Sequence, residues 1–66
     1  MKNAAPWFAS PIKGKYHAIR GYAVARGYGK DREEVMTFMV AADRTVEAAY
    51  ENATDLATLL NISPIN

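Results

Sequence analysis

Cysteine is absent from this 66-residue chain, and histidine occurs once, as His17. The first absence excludes a disulfide framework and a thiolate metal site, the usual staples of very small domains. With a single histidine besides, a zinc site has too few ligands, so neither a metal nor a cofactor is expected. Acids are absent from residues 1–30, which hold Lys2, Lys13, Lys15, Arg20, Arg26 and Lys30. Residues 31–66 reverse the balance, setting Arg32 and Arg44 against Asp31, Glu33, Glu34, Asp43, Glu47, Glu51 and Asp55. Such a split either marks a basic docking surface or pairs one half of the chain against the other on folding. No apolar run is long enough for a signal-peptide core or a bilayer span, so a cytoplasmic location with no membrane contact is expected.

Half of the residues are hydrophobic, which is well above the range of disordered chains and implies a core, although alanine supplies much of it. A chain this short buries only about 60% of the surface its unfolded form exposes. One domain is therefore expected, with a homodimer as a means of completing its burial.

The pattern along the chain predicts an α+β fold, a small ββα domain. Pro6, Pro11 and Gly14 around Trp7-Phe8 predict an extended arm over 1–14 in place of a regular element. The β-favouring residues Tyr16, Ile19, Tyr22, Val24 and Tyr28, then Val35 to Val40, predict an antiparallel β-hairpin over 15–42 turning at Gly29-Lys30. A two-residue loop there pairs Arg26 with Glu33, Val24 with Val35, Tyr22 with Thr37 and Arg20 with Met39. By the period-two rule one face then gathers Ile19, Gly21, Ala23, Ala25, Met36, Phe38 and Val40 as the core. The other face presents Tyr16, Arg20, Tyr22, Val24, Arg26, Val35, Thr37 and Met39 outward. Over 43–62, Val46, Ala49, Tyr50, Ala53, Ala57 and Leu60 form one stripe of an amphipathic helix capped by Asp43 or Thr45. Thr54-Asp55 could start a second helix, so a break near Asn52 is allowed. Residues 63–66 form a tail after the helix.

Catalytic chemistry finds little support in these residues. His17 is expected to be a half-buried structural histidine near a strand end. Glu33 and Glu34 are neighbours in a strand, face opposite ways and cannot act as a carboxylate pair. Gly27-Tyr28-Gly29-Lys30 lacks the spacing of a phosphate-binding loop. Arg20-Gly21-Tyr22-Ala23 resembles the opening of the RNA-recognition-motif signature, but Val24, Ala25 and Gly27 miss the aromatic positions that follow it. Asp55 to Ser63 is similar to the first helix and turn of helix-turn-helix proteins, yet no recognition helix follows within the 66 residues.

The repeated Arg-Gly-Tyr at 20–22 and 26–28 therefore carries the functional expectation, which is binding without catalysis. The expected partner is a larger protein, and the expected role is that of a stoichiometric inhibitor or adaptor, as phage or mobile-element products are toward host enzymes or defence systems. The expected contact residues are Tyr16, Arg20, Tyr22 and Arg26, with Met39 as an apolar neighbour and Trp7 as an anchor from the arm. A single-stranded nucleic-acid binder using the same Tyr/Arg sheet face is the less favoured alternative, because the acidic second half would repel phosphates.

Overall fold

The computed structural model describes residues 5–62. The expected tail, residues 63–66, and the first four residues of the expected arm lie outside that range. The elements follow the order strand β1 (Phe8–Lys13), strand β2 (Ile19–Arg26), strand β3 (Glu33–Met39) and helix α1 (Val46–Ile62). The expected α+β class is present, with one more strand than the ββα pattern. β1 arises from the segment read as an irregular arm, pairs antiparallel with β2, and leaves β2 in the centre of the order β1-β2-β3. Its single proline does not prevent this, since proline is tolerated on an edge strand when the nitrogen faces outward. A hairpin alone is marginal in water, and this third strand helps to make the sheet self-supporting.

The β2–β3 register agrees with the sequence at the turn, where Arg26 pairs with Glu33, and then departs from it. Val35 is an extra residue on β3, so Ala25 stands opposite Glu34 while Val24 stands opposite Met36, not Val35. Beyond this bulge Tyr22 pairs with Phe38, not Thr37, and Met39 pairs with Gly21, not Arg20. A bulge of one residue exchanges the faces of everything beyond it on one strand. Phe38 and Met36 thereby join Tyr22 and Val24 on a common face.

The helix covers that face, which inverts the expected assignment. Val24 is fully buried in a cluster with Ala53 and Ala57, bordered by Trp7, Ala9, Tyr22, Phe38, Leu56 and Leu60. The buried stripe of α1 is Ala49, Ala53 and Ala57. A helix that offers only methyl groups fills its interface when the sheet supplies the larger side chains, and Gly21, Ala23 and Ala25 could not do so.

Those small residues instead form the middle of the opposite face. Over them runs Arg32, whose guanidinium hydrogen-bonds Glu34 on β3 at 2.9 and 3.0 Å and Ser10 on β1 at 3.0 Å. To reach both outer strands it must cross β2, and alanine is small enough to pass beneath it. Ala23 and Ala25 are buried as a result. Glu33 turns the other way, toward Arg26, so the two glutamates diverge as the strand period requires.

α1 is a single helix through Asn52, without the break the sequence allowed. Thr45 is its cap: the Thr45 hydroxyl accepts the Ala48 amide at 3.0 Å. Asp43 instead lies in a tight turn closed by paired backbone hydrogen bonds between Ala41 and Arg44 at 3.0 and 3.1 Å. Glu47, Glu51 and Asp55, spaced four apart along the helix, are exposed.

Candidate functional site

The six residues singled out from the sequence divide into two groups of three. Trp7, Tyr22 and Arg26 lie on the helix side and hold the fold together. Tyr22 meets Tyr50 edge to face at 5.1 Å between centroids. The Arg26 guanidinium sits 4.5 Å from the centroid of the Trp7 ring and hydrogen-bonds Glu33 at 2.8 Å. With both its charge and its plane occupied, Arg26 offers little to a partner. The stackable face inferred for Tyr22 and Arg26 is therefore absent, because the helix lies on it. Tyr28, from the second Arg-Gly-Tyr unit, leans on Phe8 at 6.2 Å beside the other sheet face.

Tyr16, Arg20 and Met39 converge at one end of the sheet, around the β1–β2 connection. The connection is tight: the Gly14 amide donates to the Ala18 carbonyl at 2.8 Å, and the Ala18 amide donates to the Lys15 carbonyl at 3.1 Å. Between them Tyr16 and His17 have φ of 58° and 63°. Two successive left-handed residues are what a hairpin turn of the primed type demands, and the residues suited to it are Asn and Gly. Tyrosine and histidine adopt this backbone only at a cost. Tyr16 receives no packing in return, since it is 93% exposed. His17 is likewise exposed at the tip, not the half-buried structural histidine near a strand end that was expected.

Cations surround this tip. Lys13, Lys15 and Arg20 are exposed, and none of them forms an ion pair among the described residues. Arg20 interrupts the β1–β2 ladder, because Ile12 pairs with Gly21 and Lys13 with Ile19. Its side chain folds back over Gly14, where a Cβ would collide with the Arg20 Cδ. Behind it, Ala18, Ile19, Arg20, Met39 and Val40 line a shallow depression of about 290 Å³. Met39 can lie there because Gly21 has no side chain: an added Cβ would stand 2.8 Å from the Met39 sulfur and 2.6 Å from the Phe38 carbonyl oxygen.

Lys13, Lys15 and His17 belong to this end and were not among the residues chosen from the sequence. The two lysines were visible there as part of the acid-free first half. The left-handed turn was not, since no glycine or asparagine occupies it.

A second groove, of about 460 Å³, runs along the helix start between Tyr22, Val46, Tyr50, Glu47 and Glu51. Among the described residues no group of three His, Cys, Asp or Glu is placed to hold a metal ion, and no helix is long and apolar enough to cross a membrane. No protein-family model, curated protein or solved structure matches this chain, so any functional reading rests on its own geometry.

Proposed function

We propose that this chain is a non-catalytic protein-binding module, a stoichiometric inhibitor or adaptor that docks its β1–β2 tip into an acidic cleft of a larger protein. Tyr16 is the central anchor, Lys13, Lys15 and Arg20 supply the surrounding positive charge, and Met39 supplies an apolar shoulder. The observation that carries this reading is the Tyr16 backbone: a left-handed conformation held at 93% exposure. Strain without an internal contact is expected where a side chain is being presented to something else. Tyrosine and arginine are also the residues that dominate protein interfaces when truncated.

A protein partner is favoured over single-stranded nucleic acid. The stacking platform that a nucleic acid would use is covered by α1, and Asp43 and Glu47 at the helix start stand at the same end of the molecule as the tip. Their charge opposes a phosphate chain that runs past the tip along the helix start.

The test is affinity capture with the full chain and with the double variant Tyr16→Asn, His17→Gly, which keeps the turn and removes its side chains. The variant is expected to lose partner affinity by about thirty-fold or more, the equivalent of roughly 2 kcal/mol. Undiminished capture of the same partner by the variant would exclude the tip as the docking element.

A further inference from the structure

The two edges of the sheet are guarded unequally. The Val40 amide donates to the Arg20 carbonyl at 2.8 Å, which sets the alternation along this strand pair. Tyr22 and Val24 direct their backbone groups toward β3, and Gly21 and Ala23 direct theirs toward β1. Pro11 stands opposite Tyr22, so its missing amide falls on the outer rim of β1, where it interrupts any further strand. The same alternation points the amides and carbonyls of Thr37 and Met39 outward from β3. From Val35 to Val40 that edge holds no charged residue and no proline. The Arg44 side chain lies against its end, donating to the Met39 carbonyl at 3.4 Å and standing 5.4 Å from the Phe38 ring, a long contact that an incoming strand displaces. Val35, Met36 and Met39 are 52%, 49% and 42% exposed.

The geometry points to a second copy of this chain on that edge, paired antiparallel through β3 about a two-fold axis at Thr37. Two three-stranded sheets then become one of six strands, with both helices on the same face. This register joins outward backbone groups to outward backbone groups. It sets Met36 against Phe38 of the second copy and Val35 against Met39, with the two Thr37 side chains meeting at the axis. Glu34 and Glu33 fall opposite Val40 and Ala41 of the second copy, at the far ends, so no carboxylate faces its own mate. A register centred on Met36 would instead set Glu34 against Phe38 and Glu33 against Met39.

Two further features select a second copy over a foreign strand. Among the described residues, the buried hydrophobic ones are five alanines and Val24, a small core for a domain without disulfides. The apolar edge is also complementary to itself, and Pro11 on both outer rims stops the assembly at two. On the helix side, the two α1 axes would stand three strand spacings apart, about 14 Å, wider than the about 8–10 Å of direct helix contact. Leu59 of α1 is 62% exposed, so the dimer leaves the two helices to face each other across solvent.

Light scattering on the full chain provides the test. The wild type is expected at twice the chain mass of 7.3 kDa. Thr37→Lys and Thr37→Glu should each halve that value without changing the far-ultraviolet circular dichroism, and mixing the two should restore the dimer. Thr37→Pro, which removes an outward amide and no hydrogen bond to β2, gives a second route to the monomer. A wild type that stays monomeric, leaving the edge for a strand of another protein, overturns the inference. So do species larger than two chains, or a dimer indifferent to Thr37→Lys.

Discussion

The side-chain amide of Asn61 binds both backbone groups of Trp7, accepting from its amide at 2.8 Å and donating to its carbonyl at 3.0 Å. One residue near the end of α1 thus takes the place of a neighbouring strand for the residue just before β1. The contact joins positions 54 apart in the chain and seats the Trp7 ring against Arg26 and the core.

Asn61→Ala should release this clasp. Each hydrogen bond contributes roughly 0.5–1.5 kcal/mol net, and the site is exposed, so a loss of about 1–2 kcal/mol is expected. Thermal unfolding followed by circular dichroism would show a fall of roughly 4–8 °C per kcal/mol for a domain of this size. An unchanged midpoint would mean that the clasp contributes nothing.

Gly21→Ala should destabilise more than Gly14→Ala. At Gly21 the new methyl meets the Phe38 carbonyl oxygen at 2.6 Å and the Met39 Cα at 2.9 Å, and backbone of a paired strand cannot step aside. Overpacking of this kind costs about 1–3 kcal/mol. At Gly14 the obstacle is the flexible Arg20 side chain, which can swing away. Urea titration of both variants gives the comparison, and equal midpoints would contradict it.

Tyr16→Asn, His17→Gly should raise stability while removing the proposed anchor. Left-handed backbone costs about 1–2 kcal/mol at an ordinary L residue, and the replacement pair is the favoured one for such a turn. The denaturation midpoint of the double variant should therefore lie above that of the wild type. A lower midpoint would show that Tyr16 or His17 contributes packing to the fold.

Thr54→Val should also stabilise. The Thr54 hydroxyl oxygen is buried and has no hydrogen-bond partner among the described residues. Valine keeps the shape and the branching and removes the desolvated oxygen, a gain of about 1 kcal/mol. A loss of stability in the same urea titration would reveal a partner for the hydroxyl in solution.

The parts of the fold that were legible in the sequence are those set by local chemistry. Thr45 reads as a helix cap because its hydroxyl can satisfy an amide of the first turn, and it does. Of the stripe Val46, Ala49, Tyr50, Ala53, Ala57 and Leu60, which helical spacing places on one side, the three alanines are buried while Val46 and Tyr50 stay exposed at the helix start. Asn52 leaves the helix unbroken because it is exposed, where its modest propensity cost is small beside the packing of that stripe. β1 was not legible: Phe8–Lys13 holds Pro11 and only one β-branched residue, and it becomes a strand because β2 offers it a ladder.

For the candidate site, Tyr16, Arg20 and Met39 were chosen from the sequence as members of one sheet face and meet for another reason. Tyr16 is in the turn, Arg20 interrupts the β1–β2 ladder beside it, and Met39 reaches the same end by lying over Gly21. Tyr22, Trp7 and Arg26 were chosen for the same amphipathic chemistry, which serves equally well against a helix. A side chain's type does not say whether its partner belongs to the same chain.

Taken alone, the order of residues determined that strand and helix occur, that the helix is lined with alanine, and that positive charge is concentrated in the first half. These follow from propensity, spacing and composition, which act over a few residues. Which sheet face turns inward was decided only by the tertiary structure. A period of two defines a pair of faces without ranking them, and the ranking came from the volume that an alanine-lined helix leaves to be filled. The bulge at Val35 then brought Met36 and Phe38 onto the Val24 side to fill it.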